Sequence, residues 1–70
     1  MTKEKAEEVA CDVETMVMGL TKNKPTTLVI EPNIVVSINY NNEYPSMYII
    51  TDSISTQRVD AKTLTCYEHN

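Results

Sequence analysis

The sequence predicts an α+β domain in which one N-terminal amphipathic helix packs on a small antiparallel sheet of three to five strands. Near the N-terminus, apolar residues recur at the spacing of one helical face. From residue 27 onward, the spacing changes to the alternation typical of half-buried strands. The length of 70 residues allows one domain, residues 1–70, with one hydrophobic core.

The helix is predicted over residues 3–20. Its apolar side chains form a single stripe: Ala6, Val9, Ala10, Val13, Met16, Val17 and Leu20. Thr2 is a suitable N-cap, and Glu4 suits the positive end of the helix dipole. Gly19, the one glycine in the chain, stands where a helix can end, and Pro25 prevents easy continuation.

The strands follow in the second half of the chain. Residues 34–40 give the clearest alternation, with Ile34, Val36 and Ile38 on one face. Pro32 and the polar residues 41–45 mark turns. The predicted strands are residues 27–31, 34–40 and 46–52, followed by a weaker hairpin of residues 57–60 and 63–68.

One helix covers one face of such a sheet, so the other face is expected to be a surface. The third strand carries bulky side chains on both faces, and either Tyr48 and Ile50 or Met47 and Ile49 could face outward. A one-residue change of register exchanges the two pairs, and a sheet that curls could bury both. We expect Tyr48 and Ile50 to contact a protein partner, because exposed apolar patches rich in tyrosine are typical of binding sites.

Composition excludes several classes of function. The net charge is -4, with ten acidic and six basic side chains, which argues against direct nucleic-acid binding and against an anionic membrane surface. A single glycine excludes a phosphate-binding loop or a dinucleotide fingerprint. The N-terminus is charged and lacks the apolar segment of a signal peptide. We therefore expect a cytoplasmic protein whose charged partner, if any, is a basic protein.

The residues that usually carry chemistry do not cluster. Cys11 is predicted on the polar side of the helix and Cys66 on the inner side of a strand, which disfavours a disulfide between them. The one histidine, His69, is three residues from Cys66 and would point to the opposite face of that strand. We predict no catalytic residues, no metal site and no cofactor, and therefore no enzymatic activity.

Acidic residues are concentrated on the helix, where Glu7, Glu8, Asp12 and Glu14 occur with no basic residue between positions 6 and 21. They form either a solvated face or a docking face for a basic protein. Cys11 and Met18 lie together beside Glu7 and Glu14, seven residues apart on a second, weak apolar strip. Cys11, Met18, Glu7 and Glu14 are therefore predicted as protein-binding residues.

These observations favour a non-enzymatic protein-interaction module that forms a homodimer. Its size and acidity suit a small accessory or inhibitory protein of a phage or mobile element. One alternative is an acidic nucleic-acid mimic that inhibits a nucleic-acid-binding protein. Another is a small ligand-binding protein or enzyme whose site lies at a dimer cleft.

Overall fold

The computed structural model describes residues 1–18 and 24–69 and shows one helix packed on a five-stranded antiparallel sheet. The predicted α+β fold is confirmed. Helix positions 19 and 20 of the prediction, Gly19 among them, lie outside the described residues. The elements are α1 (Lys3–Met18), β1 (Thr27–Glu31), β2 (Ile34–Asn41), β3 (Tyr44–Thr51), β4 (Thr56–Asp60) and β5 (Thr65–His69).

The strands pair in chain order, β1-β2-β3-β4-β5, and each is antiparallel to the next. The predicted turn at residues 41–45 is too long, because β3 already begins at Tyr44 and the connection is only Asn42 and Glu43. Asn42 has φ 60, a left-handed conformation that asparagine tolerates. Pro45 lies within the strand at an irregular register position, where a proline is compatible with pairing.

The turn between β4 and β5 is organised by one carboxylate. Asp60 accepts hydrogen bonds from the backbone N–H groups of Lys62 (3.1 Å) and Thr63 (2.9 Å), and from Thr63 Oγ1 (3.0 Å). The chain then passes through Leu64 at φ 56, an uncommon conformation for a bulky residue. The final hairpin was predicted correctly, but β5 begins two residues later than expected, at Thr65.

The core lies between α1 and one face of the sheet, called here the covered face. Two alanines on the helix, Ala6 and Ala10, are fully buried and allow close approach to the strands. Burial of this apolar surface is the main favourable contribution to folding. The buried apolar residues are Ala6, Val9, Ala10, Val13, Ile34, Val36, Ile38, Tyr48, Ile50, Val59, Ala61 and Cys66.

Side-chain contacts fix the direction of the helix across the sheet. Thr2 Oγ1 accepts a hydrogen bond from the N–H of Lys5 (3.1 Å), which confirms the predicted N-cap. On one side of α1, Lys5 forms an ion pair of 3.5 Å with Glu31 in β1. On the other side, Glu7 Oε2 accepts a hydrogen bond from the backbone N–H of Cys66 in β5 (2.8 Å). The helix therefore spans the sheet between its two edge strands.

A polar cluster closes one end of the covered face. The amino group of Met1 lies 2.9 Å from Asp52 Oδ2 and 3.0 Å from Ser55 Oγ, and the carbonyl of Met1 accepts a hydrogen bond from Gln57 Nε2. Gln57 is fully buried, and its Oε1 has no partner within the described part of the chain. The hydrogen bond from the Met1 amine lowers the pKa of Asp52, and the N–H groups of Ser55 and Ile54 lower it further.

Candidate functional site

One side of α1 carries the strip predicted from the sequence. Glu7, Cys11, Glu14 and Met18 are separated by four, three and four residues, so they lie along one flank of the helix. The Glu7–Cys66 contact places this flank on the β5 side. Cys11 is exposed, and Met18 is 75% exposed. Glu7, in contrast, is bound to the fold rather than free for a partner.

A cleft of about 390 Å³ opens at the C-terminal end of this flank. It lies between α1, the beginning of β3 and the turn after β4. The cleft brings together three of the predicted residues, Glu14, Met18 and Tyr48, and it is formed within one chain rather than between two copies. Its lining residues are Glu14, Val17, Met18, Tyr44, Pro45, Tyr48, Ala61 and Lys62.

Tyr48 is the polar group at the base of the cleft. The residue is fully buried, and its hydroxyl has no hydrogen-bond partner among the described residues. Burial raises the pKa of this phenol to about 12, and the negative charge of Glu14 and the neighbouring Tyr40 add to the effect. Tyr48 is therefore neutral at physiological pH, and its hydroxyl is unpaired within residues 1–18 and 24–69.

Two charged side chains line the cleft, and their surroundings differ. Lys62 lies in the turn organised by Asp60 and is close enough to contribute to the lowered pKa of that carboxyl. Glu14 forms no ion pair with any described residue. Glu14 is also half-buried whereas Lys62 is exposed, so the carboxylate is the less screened of the two charges.

The second candidate surface is the sheet face opposite α1, called here the open face. Val29 is 67% exposed, Val35 39% and Tyr67 58%. Met47 and Ile49 are half-buried on the same face, and the hydroxyl of Tyr67 donates to the sulfur of Met47. Register places Val29, Val35, Met47 and Ile49 on this face, and the contact with Met47 places Tyr67 there. Polar residues of the same face, such as Ser37, Asn39 and Arg58, lie between these apolar side chains.

The structure corrects the predicted contacts of β3. Tyr48 and Ile50 are both 0% exposed, so neither can form part of an outer binding surface. They pack under the helix because β2–β3 pairing aligns them with Ile38 and Val36. Their neighbours Met47 and Ile49 point to the open face instead, where both are half-buried.

The two cysteines and the carboxylates of the described residues form no metal site. Cys66 is buried, as predicted, and Cys11 is an exposed free thiol. Within residues 1–18 and 24–69, no group of three or more histidine, cysteine, aspartate or glutamate side chains could hold a metal ion. The helix of this part of the chain lacks the length and apolar character needed to cross a membrane.

Similarity to known proteins gives no further indication of function. The chain matches no family model, no curated protein and no solved structure. The cleft and the open face are therefore the features from which a function can be inferred.

Proposed function

We propose that the protein is a non-enzymatic interaction module that forms a homodimer through its open face and binds a basic partner protein on the helix side. The observation that carries this proposal is the open face itself. Val29, Val35 and Tyr67 expose apolar area on one face of the sheet, and apolar area grouped on one face is typical of an interaction surface. A second copy of the chain is the occupant that best fits its size and charge.

The size of the open face suits a dimer. The extents of the molecule are 32 × 24 × 15 Å, and the shortest axis corresponds to the two layers of helix and sheet. The sheet face can therefore supply at most the roughly 800 Å² that each partner contributes to a standard interface. Two such faces can pack against each other as the sheets of a sandwich do.

The distribution of charge also favours this arrangement. The exposed acids Glu4, Glu8 and Asp12 lie on the helix, on the opposite side of the sheet from the open face. Among the side chains that the structure describes, the open face carries Arg58 and Asp60, which are of opposite sign. A dimer through this face keeps the acidic helices apart and leaves them accessible to a basic partner, so repulsion between two chains of charge -4 is limited.

The test is molar mass in solution by light scattering, at two protein and two salt concentrations. We expect a dimer that persists at high salt, because apolar contacts are not weakened by ionic screening. The variant Ile49→Lys places a charge in the open face and should be monomeric. Ile54→Lys is the matched control, because Ile54 is 87% exposed and lies in the loop before β4 rather than in a strand of the sheet.

Circular dichroism shows whether both variants keep the fold. A wild-type protein that is monomeric at every concentration would contradict the proposed dimer. So would Ile49→Lys and Ile54→Lys proteins that are folded and have the same mass.

A further inference from the structure

The cleft beside α1 has the shape and polarity of a binding site for one kind of side chain. Its volume of about 390 Å³ lies at the lower end of the range for ligand pockets. Val17, Met18, Pro45 and Ala61 supply apolar walls. Tyr44 stands at the rim and is 74% exposed. Such a cleft accommodates an aliphatic stem and leaves room for a polar head group.

Charge decides which head group fits. Glu14 is half-buried and has no ion-pair partner in the described part of the chain. Lys62, the other charged lining residue, is exposed and close to the Asp60 carboxylate. Because Glu14 is half-buried and Lys62 is exposed, the carboxylate is the less screened of the two charges, so the cleft favours a cationic head group over an anionic one.

Two aromatic residues strengthen this preference. The exposed ring of Tyr44 offers a face on which a guanidinium or ammonium group can stack. The buried hydroxyl of Tyr48 lacks a partner among the described residues and lies close enough to Glu14 to experience its charge. It can donate a hydrogen bond to the Glu14 carboxylate and hold it in place when a cation binds, so Tyr48 is a positioning residue.

We propose that this cleft binds a single arginine or lysine side chain of the basic partner, with Glu14 pairing the cationic head group and Tyr44 stacking on it. The proposal rests on the partner-binding half of the proposed function and names its site. It does not depend on the dimer, because the cleft and the open face lie on opposite sides of the sheet.

The experiment is a titration of the full chain, ¹⁵N-labelled, with N-acetyl-arginine amide, followed by two-dimensional NMR. N-acetyl-citrulline amide is the control probe, since it has the same shape without the charge. We expect the arginine probe, at up to roughly 10 mM, to shift the backbone amide signals of Val17, Met18, Ala61 and Lys62. The citrulline probe should shift them much less.

Variants assign the effect to the proposed groups. Glu14→Gln should weaken binding of the arginine probe about tenfold, which corresponds to the loss of one charge-assisted contact. Glu8→Gln is the matched control, because Glu8 is an exposed acid on the same helix that does not line the cleft. Tyr48→Phe should weaken binding of the arginine probe several-fold without lowering the free energy of unfolding. If the hydroxyl had only a structural role, the two quantities would fall together.

Several results would overturn the proposal. The first is the absence of amide shifts with the arginine probe, and the second is equal shifts with the arginine and citrulline probes. The third is an equal loss of affinity for the arginine probe in the Glu14→Gln and Glu8→Gln proteins. Binding of N-acetyl-glutamate amide in place of the arginine probe would assign recognition to Lys62 and overturn it as well. Failure of the proposed dimer appears separately, as a monomer in light scattering.

Discussion

The two faces of the sheet are built from neighbouring residues that have opposite environments. In β3, Tyr48 and Ile50 are completely buried under the helix, whereas Met47 and Ile49 lie on the open face. All four are large and apolar, so local composition does not distinguish the two pairs. What distinguishes them is the contact with α1, which turns one pair into core and leaves the other as surface available for association.

The largest expected change in the free energy of unfolding comes from truncating an isoleucine on the covered face, compared with truncating one on the open face. Ile50→Ala should lower the free energy of unfolding by about 3 kcal/mol, because it opens a cavity in a site with 0% exposure. Ile49→Ala should cost less than about 1 kcal/mol in the monomer, because Ile49 is only half-buried there. Urea unfolding, at protein concentrations low enough to exclude association, measures both changes.

An equal decrease in the free energy of unfolding for the two variants would contradict the comparison. It would mean that the open face is also buried, or that the helix does not bury the covered face. A larger loss for Ile49→Ala at high protein concentration than at low concentration would sharpen the comparison instead. It would show that the open face is buried between two chains.

The sequence predicts most of the fold because the fold depends largely on local pattern. The helical stripe and the alternation in residues 34–40 place α1 and β2 to within a few residues. The beginning of β3 is missed because Tyr44 and Pro45 follow polar turn residues and resemble a longer turn. A bulge in the β2–β3 pairing accommodates this proline, and a bulge is a property of two strands rather than of either one alone.

The candidate site is predicted only in part. Glu14 and Met18 are identified because helical spacing places them on one flank. Tyr44 and Lys62 are missed, because only the tertiary fold brings residues so distant in sequence to the same cleft. Tyr48 is predicted as a contact residue but for the wrong face, since alternation alone does not show which side the helix covers.

Two neighbouring acids of α1, at the margin of the covered face, also differ in their surroundings. Glu7 bonds to the backbone N–H of Cys66, whereas the adjacent Glu8 is exposed. Glu7→Ala should lower the free energy of unfolding by about 2 kcal/mol, because it removes a charge-assisted hydrogen bond to β5. Glu8→Ala should change it by less than about 0.5 kcal/mol. Chemical denaturation of both proteins measures the difference, and equal values would contradict a role of Glu7 in attaching the helix to the edge strand.

Tyr48 tests the cost of a polar atom at the centre of the covered face. Its hydroxyl lacks a partner among the described residues, so Tyr48→Phe should raise the free energy of unfolding by about 1 kcal/mol at neutral pH. The folded-state pKa of about 12 exceeds the ordinary value of 10.0. Below pH 10 the phenol is neutral in both the folded and the unfolded state. As the pH rises from about 10 to about 12, the phenol ionises in the unfolded state first, and the free energy of unfolding falls.

Stability measured across that alkaline range should fall less steeply for Tyr48→Phe than for the wild-type protein. A variant that is less stable than wild type at neutral pH would show that the hydroxyl does have a partner. In that case it could not serve as a free donor to Glu14 in the cleft.

The smallest expected effect lies at the end of the covered face, where Met1 makes polar contacts in addition to packing against the core. Asparagine at position 52 keeps an oxygen acceptor for the N–H groups of Ile54 and Ser55 but loses the charge that pairs with the Met1 amine. The pKa of Asp52 is lowered below its ordinary value of 3.8. Its charge therefore contributes stability that is complete above about pH 4 and is lost as the pH falls through the folded-state pKa.

Asp52→Asn should accordingly be less stable than wild type at neutral pH, and the difference should diminish below about pH 4. Added salt should reduce the Asp52 contribution, because it includes an ion pair with the Met1 amine. The contribution of Asp60 should be less sensitive to salt, because the hydrogen bonds of Thr63 are the largest cause of its lowered pKa. Thermal unfolding of Asp52→Asn and Asp60→Asn at low and high salt measures both contributions. An equal effect of salt on the stability differences of the two variants would mean that the charge of the Met1 amine adds little to the contribution of Asp52. This end of the covered face would then be held by hydrogen bonds rather than by an ion pair.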